Sequence, residues 1–194
     1  MKNWIIPISL IAILAIIVWR FNNKAVNLKE DANNKWGDVE NAYQRRYDLI
    51  DNLVATVKGY ADFEKSTLEA VVKARASATQ TTIDPTNLTP EKVAEFQNAQ
   101  AGLNGALSRL LLVVERYPDL KANQNFLELQ SQIEGTENRI NVSRDRFNET
   151  VNPYNKLIKR FPGALFAKML GFDEMNYFKS EAGAEKAPKV DFSK

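Results

Sequence analysis

A long stretch without proline, residues 22–80, constrains the fold of this chain more than any other feature. Apolar side chains recur along it at spacings of three and four residues if Arg46 occupies one intervening position, as expected for a helix that buries one face. They are Trp36, Val39, Tyr43, Ile50, Leu53, Val57 and Tyr60. A single helix over this stretch would be roughly 85–90 Å long. The pattern therefore predicts an all-α protein in which the other elements pack against one long helix.

An apolar segment, residues 4–19, precedes the long stretch and predicts a membrane anchor. As a helix it covers about 24 Å, and extension to Phe21 brings it close to the roughly 30 Å of a hydrocarbon core. No small-residue cleavage site follows Trp19, so we expect an uncleaved signal anchor rather than a signal peptide that is removed. The predicted anchor residues are Trp4, Ile5, Leu10, Leu14, Val18 and Trp19.

The composition restricts the chemistry that the chain can perform. Its 194 residues include no cysteine, which excludes disulfides, thiolate chemistry and zinc sites built on sulfur. They also include no histidine, the commonest acid–base group and metal ligand. The 26 basic and 24 acidic side chains are interspersed and leave a net charge of +2, without a basic patch for nucleic acid. We therefore expect no enzymatic activity, no cofactor, no metal ion and no nucleic-acid partner.

Two further helices follow the long one. The second is expected to begin at Thr89, whose side chain would cap the helix ahead of Pro90, and to end near Arg116. The third carries a nearly unbroken apolar seam and ends near Arg160. Pro153 lies within this third stretch, where it either kinks one helix or marks the point where two helices meet.

These elements predict a transmembrane helix followed by an antiparallel bundle of three to four long helices. The expected divisions are an anchor over residues 1–21, a helical bundle over residues 22–178 and a loose C-terminal tail over residues 179–194. The tail is rich in Ala, Lys and Glu, a composition that buries little apolar surface.

The helix lengths raise the question of assembly. The second and third helices would be about 40 Å and 55 Å long, which leaves roughly 30 Å of the first helix without a partner in the same chain. Trp36, Val39 and Tyr43 lie there, and a stable monomer rarely exposes such a seam. One interpretation is that another copy or a membrane partner covers these residues. The other is a bend near Gly37 or Gly59 that produces a compact four-helix bundle.

Four charged residues occupy positions in the predicted seams: Arg46, Glu64, Glu137 and Arg144. We interpret them as a structural network that pairs across the bundle and fixes helix register. The competing interpretation is a carboxylate site formed by Glu64 and Glu137. Helical bundles that bind two metal ions use Glu-x-x-His pairs or several inward carboxylates, and the absence of histidine argues against such a site.

A short apolar segment, residues 161–172, follows the third helix and ends at Gly171-Phe172. It is either a helical cap that closes the end of the bundle or a docking patch for a partner or another subunit. The residues that would make such contacts are Leu165, Phe166, Met169 and Phe172. An antiparallel bundle built on an 85–90 Å helix is expected to hold this segment far from the membrane.

Several longer motifs resemble the signature of the LemA family, and together they span nearly the whole chain. They are QRRYDLI at residues 44–50, ERYPDLKAN at 115–123, TENRI at 136–140, FPG at 161–163 and PKVDF at 188–192. The chain departs from this signature at Asp51, where the family often has proline, and at Phe63, where it often has histidine. The second departure removes a residue that would have suggested an acid–base or metal site.

The resemblance implies a membrane-anchored helical bundle whose function is largely unassigned. A relative from magnetosome-forming bacteria takes part in building that membrane compartment, which implies a role in membrane organisation. We therefore expect a scaffold that self-associates and contacts the lipid bilayer. The alternative is an accessory subunit of another integral membrane protein, such as a protease or an envelope-stress component.

Two signals for the location of the bundle disagree. Lys2 precedes the anchor, whereas Arg20, Lys24, Lys29 and Lys35 follow it, and this charge count favours a cytoplasmic bundle. The resemblance includes relatives that look like lipoproteins, which implies an extracytoplasmic bundle. Because the N-terminal flank has only three residues, we expect a single-pass protein of the bacterial cytoplasmic membrane with its bundle on the extracytoplasmic side.

Overall fold

A computed structural model describes residues 4–60, 63–81 and 89–178 of the chain. These ranges contain helices but no strand, so the predicted all-α class is confirmed. The elements are α1 (Ile5–Lys58), α2 (Lys65–Gln80), α3 (Pro90–Val114), α4 (Pro118–Lys121), α5 (Gln124–Lys159) and α6 (Gly163–Leu170). The predicted loose tail over residues 179–194 lies outside the described residues.

Helix α1 combines the predicted anchor with most of the predicted long helix. Its 54 residues extend over about 80 Å. Nearly all side chains from Trp4 to Trp19 are exposed, and burial begins at Phe21. Among the described helices, α1 is the one whose length and apolar composition suit a membrane span. The apolar segment therefore continues into the bundle core without a linker.

The prediction of one unbroken helix to Gln80 is wrong, because α1 ends at Lys58. Backbone hydrogen bonds from Tyr60 to Val57 and from Phe63 to Tyr60 form a tight corner. Helix α2 then returns beside α1 and pairs with α3. The structure thus matches the alternative in which a bend near Gly59 yields a compact bundle.

Helix α5 packs antiparallel to α1 in a constant register. The ring of Phe147 lies 5.3 Å from that of Trp36, the Glu137 carboxylate lies 3.1 Å from the Arg46 guanidinium, and the Asn123 side chain donates a hydrogen bond to the Tyr60 hydroxyl. The 36 residues of α5 extend over about 54 Å, close to the roughly 57 Å of α1 between residues 21 and 58. Helix α5 therefore covers α1 along nearly all of the part of α1 that lies within the bundle.

The predicted ends of the second and third helices agree closely with α3 and α5. The Thr89 side chain accepts a hydrogen bond from the Lys92 backbone N–H at 3.3 Å, as expected for an N-cap ahead of Pro90. Asn123 caps α5 in the same way, at 3.1 Å from the Phe126 nitrogen. Pro153 lies inside the continuous helix α5, so no second helix begins there.

After α6 the chain reverses direction and returns along α5 as an extended segment, residues 172–178, which we call the C-terminal strap. Asn155 exchanges two hydrogen bonds with the backbone of Met175, at 2.7 and 3.0 Å. Asn148 forms the same pair with the backbone of Phe178, at 3.0 and 2.9 Å. These two side chains supply partners to a backbone that belongs to no helix, and they hold the strap against the bundle.

We predict that Gly163→Ala destabilises the protein. A Cβ atom at this first residue of α6 would lie 2.2 Å from the Leu157 carbonyl oxygen and 3.0 Å from the Phe21 ring. The clash is expected to displace α6 and to lower the free energy of unfolding by about 1–3 kcal/mol. Thermal unfolding of the full chain in detergent, followed by circular dichroism, measures this loss.

Gly135→Ala is the matched control, because nothing lies within 4 Å of the corresponding Cβ position in α5. Alanine is a better helix former than glycine, so this variant should be as stable as the parent or more stable by up to about 1 kcal/mol. Equal midpoints for the parent and Gly163→Ala would contradict the tight packing of α6 on α1.

Candidate functional site

An ion pair between a buried arginine and a partly exposed glutamate lies at the centre of the bundle. Only 2% of Arg46 is exposed, and its guanidinium contacts Glu137 of α5 at 3.1 Å. It also donates a hydrogen bond to the side-chain oxygen of Asn104 in α3. A single side chain of α1 thereby connects the two neighbouring helices, as expected for a polar group that fixes register.

The other two charged seam residues have separate surroundings. The Arg144 guanidinium lies 4.8 Å from the centre of the Phe178 ring, a cation–π distance. Glu64 precedes α2, and its carboxylate lies 3.0 Å from Arg116. A hydrogen bond from Ser66 and the Arg116 guanidinium lower the pKa of Glu64. The expectation that Glu64 lies in the central seam is wrong, because the seam helix ends at Lys58.

A cleft of about 670 Å³ lies beside the central pair, between α3 and α5. Its walls carry amides, hydroxyls and charges of both signs, and Phe178 of the C-terminal strap closes one part of it. Among the described residues, no three Asp or Glu side chains lie close enough to hold a metal ion together. The cleft also has apolar walls from Leu107, Leu111 and Ile133, so it combines apolar surface with charges of both signs.

Two tyrosines border the same interior. Burial raises the pKa of Tyr43 to about 12, although Arg144 and Arg46 act in the opposite direction. Burial also raises the pKa of Tyr47, whose hydroxyl accepts a hydrogen bond from Gln100 at 2.6 Å. Both phenols therefore stay protonated at neutral pH, which suits a structural network better than proton transfer.

The seam for which the sequence left open an external partner or a compact bundle is covered within the chain. Trp36, Val39 and Tyr43 are at most 5% exposed. The Trp36 ring packs edge-on against Phe147 and stacks on Phe178 at 5.5 Å. The premise that these side chains lack an intramolecular partner is wrong, because α5 and the C-terminal strap extend over the membrane-proximal half of α1.

The predicted contact residues of the short apolar segment divide into two groups. Phe166 and Phe172 are half-buried, with ring centres 5.5 and 6.2 Å from that of Phe21. Leu165 and Met169 point away from the bundle and are each 64% exposed. The first group fixes α6 to α1, and the second forms a free apolar surface.

The expectation that this segment lies far from the membrane is also wrong. Since α5 matches the length of α1 within the bundle, its C-terminal end returns to the level of Phe21. Phe21 immediately follows the exposed apolar part of α1, which includes Trp4 (74% exposed) and Trp19 (64% exposed). Helix α6 therefore lies beside the anchor.

A sequence signal for this contact lies in the apolar spacing before Trp36. Ala25 and Ala32 are fully buried, and Phe21 is 8% exposed. The three-and-four spacing of the seam thus continues backward from Trp36 to Phe21. Phe21 was assigned to the anchor, whereas the structure shows it as the first residue of the bundle core. No comparable sequence pattern predicts the contacts of Asn148 and Asn155 with the C-terminal strap.

Comparisons with known proteins agree with the motifs. The model of the LemA family matches residues 35–192. Magnetosome protein MamQ of Magnetospirillum gryphiswaldense is 26% identical over 188 residues, covering 88% of this chain and 69% of that protein. Magnetosome protein MamQ 2 of Paramagnetospirillum magneticum is 25% identical, and the match covers 92% of this chain and 71% of that protein. Protein LemA of Metamycoplasma hominis is 24% identical, and the match covers 72% of this chain and 60% of that protein.

We predict that Glu137→Ala destabilises the bundle by about 1–3 kcal/mol, because it leaves the buried Arg46 charge without its carboxylate. Combining it with Arg46→Met removes that charge, so the double variant should recover part of the loss. Chemical unfolding of full-length variants in detergent gives the free energies.

Glu69→Ala serves as the control, because Glu69 forms an exposed 3.6 Å pair with Lys65 on α2. Its effect should stay within about 0.5 kcal/mol. If Glu137→Ala were equally mild, the central pair would not contribute to the stability of the fold.

Proposed function

Because the chain belongs to the LemA family, we propose that it is a non-enzymatic, membrane-anchored helical scaffold that self-associates and organises the membrane around it. The observation that carries this proposal is the continuity of α1, whose apolar N-terminal part and bundle part form one helix, Ile5–Lys58. Because the span continues into the packed core as one helix, the bundle is held rigidly relative to the bilayer, as a scaffold requires.

The interior supports a structural role rather than catalysis. Charges in the centre of the bundle pair with each other, and the neighbouring phenols stay protonated at neutral pH. The chain also has no histidine or cysteine to supply a base or nucleophile. What these side chains do is hold α1, α3 and α5 in register.

Self-association requires a surface other than the Trp36 seam, which is internal. We propose the groove of about 590 Å³ beside α2, whose lining combines the apolar Phe63, Leu68, Val72 and Ala76 with Lys58, Lys65 and Lys73. Val72 is 45% exposed in it. Anchored copies share one orientation, so a two-fold axis along the membrane normal can bring two such grooves together side by side.

The second candidate function is an accessory subunit of another integral membrane protein. The observation that favours it is the cleft between α3 and α5, which is large enough to receive a segment of a partner. The exposed carboxylates that line it, Glu134 and Asp145, would favour a partner with complementary basic groups.

We predict that gently extracted full-length protein forms a particle with the mass of several copies of this chain, without a stoichiometric partner. Val72→Glu should reduce this particle to smaller species, since it places a charge at the proposed contact. Light scattering of the purified protein in detergent, corrected for bound detergent, measures the mass.

Val142→Glu is the matched control, because Val142 is similarly exposed (40%) but lies on α5. It should leave the mass unchanged. A monomeric parent would overturn self-association, and a monomer bound to one other membrane protein would favour the accessory-subunit function.

We also propose that the bundle lies on the extracytoplasmic face of a bacterial cytoplasmic membrane, as the LemA resemblance implies. Alkaline phosphatase fused after Lys194 is then expected to be active, because this reporter requires export. A fluorescent protein that matures only in the cytoplasm should stay dark at the same position. The reverse pattern would place the bundle inside, as the positive charges after the anchor suggest.

A further inference from the structure

Helix α6 presents apolar side chains on the side that faces away from the bundle. Leu165 and Met169 are 64% exposed and lie one helical turn apart, and Phe161 just before the helix is 83% exposed. On the opposite side, Gly163 and Ala167 are buried against the bundle. An eight-residue helix that is apolar on both sides is suited to an apolar environment on its outer side as well.

The position of α6 identifies that environment. Leu170 at its C-terminal end shares an open apolar cleft of about 570 Å³ with Ile11, Leu14, Val18 and Trp19 of α1. These four residues belong to the apolar segment that spans the membrane. An outward-facing cleft between them and Leu170 is therefore filled by lipid acyl chains when α1 is in a bilayer.

The depth of this contact matches that of an interfacial helix. Leu14 lies seven residues before Phe21, which corresponds to about 10 Å along the axis of α1. Amphipathic helices that lie on membranes bury their apolar face by roughly 5–10 Å into the boundary between headgroups and acyl chains. Leu170 lines a cleft that extends along α1 from Ile11 to Asn22, whereas the Phe166 ring lies 5.5 Å from that of Phe21.

The charged residues around α6 are compatible with this placement. Lys168 and Arg160 are exposed, and long basic side chains can extend toward phosphate groups while their methylene stems stay among apolar neighbours. Of the two acidic residues in the adjoining strap, Asp173 is exposed and Glu174 pairs with Lys159 of α5. This pairing reduces the cost of holding the Glu174 carboxylate near the membrane surface.

We propose that α6 is a second membrane contact, which lies in the interfacial layer of the leaflet that carries the bundle and binds phospholipid through Leu165, Met169 and Leu170. This inference rests on the membrane anchoring proposed above. With two contacts instead of one, the bundle has a fixed tilt and a fixed rotational orientation relative to the bilayer. An inserted helix beside the span also widens the protein in one leaflet only, which favours membrane curvature.

A second copy of this chain fits the surface less well than lipid does. The α6 helix is only about 12 Å long, and stable interfaces between proteins bury about 1,200–2,000 Å² in total. The exposed side chains of one two-turn helix cannot supply that area. The cleft beside Leu170 also opens onto the membrane span, where acyl chains are present at high concentration.

The absence of cysteine allows a direct test with single labels. Full-length Leu165→Cys and Met169→Cys variants carry an environment-sensitive fluorophore and are reconstituted in vesicles of phosphatidylcholine and phosphatidylglycerol. Acyl chains brominated near the headgroup then quench any probe that lies in the interfacial layer. Leu112→Cys on α3 is the matched control, because Leu112 is a similarly exposed leucine (73%) and lies near the membrane-distal end of that helix.

We expect quenching of both α6 probes to exceed that of the Leu112→Cys probe by about twofold or more. Quenching equal to that at Leu112→Cys would overturn the proposal, as would a probe that is shielded from water but not quenched by lipid. A probe at Leu14→Cys, in the anchor, distinguishes failure of the interfacial-helix proposal from failure of the anchoring proposal. If its probe is quenched by lipid and the α6 probes are not, the anchor is correct and the interfacial helix is wrong. If its probe is not quenched either, the proposed anchoring itself fails.

Discussion

The antiparallel contact between α1 and α5 determines where every other described element lies. Its register is constant from the Trp36–Phe147 ring contact, through the Arg46–Glu137 ion pair, to the Tyr60–Asn123 hydrogen bond. Since the two helices have nearly equal length within the bundle, the C-terminal end of α5 must return to the level of Phe21. That geometric condition brings α6 to the anchor and lets the C-terminal strap cover Trp36. The membrane-proximal half of the bundle therefore depends on a match of helix lengths.

The ion pair within this contact favours one helix register, although burying its cation costs desolvation free energy. Arg46 is almost completely buried, whereas the Glu137 side chain is 39% exposed, so the desolvation cost falls mainly on the cation. Such pairs add little net stability, but a shifted register would leave the charge without a partner. Asn104 gives the same cation a second acceptor from α3. The central polar network thus penalises alternative alignments of three helices at once, which is what a scaffold with a defined shape needs.

Membrane attachment and bundle architecture are coupled in this fold. Many anchored domains are joined to their span by a flexible linker, which leaves their orientation free. Here the span and the longest core helix are one helix, and Phe21 is both the last residue of the predicted anchor and the first buried residue of the core. The packing of Phe166 and Phe172 on Phe21 places an apolar helix at the same level. The proposals of a rigid scaffold and of a second lipid contact both follow from this coupling.

The helical class, the apolar anchor, the cap at Thr89 and the apolar seam were predictable from the sequence, because they depend on periodicity and on local hydrogen bonds. The pairing of Arg46 with Glu137 was also within reach, since both occupy seam positions. The end of α1 at Lys58, the return of α2 and the location of α6 were decided by tertiary packing. Where one helix is followed directly by another, the helical pattern continues across the break and does not show where the first helix ends. The element that packs against a buried face is distant in sequence, so the pattern does not identify it either. For that reason the sequence predicted Glu64 in the central seam, left two interpretations of the Trp36 seam open, and placed residues 161–172 at the wrong end of the bundle.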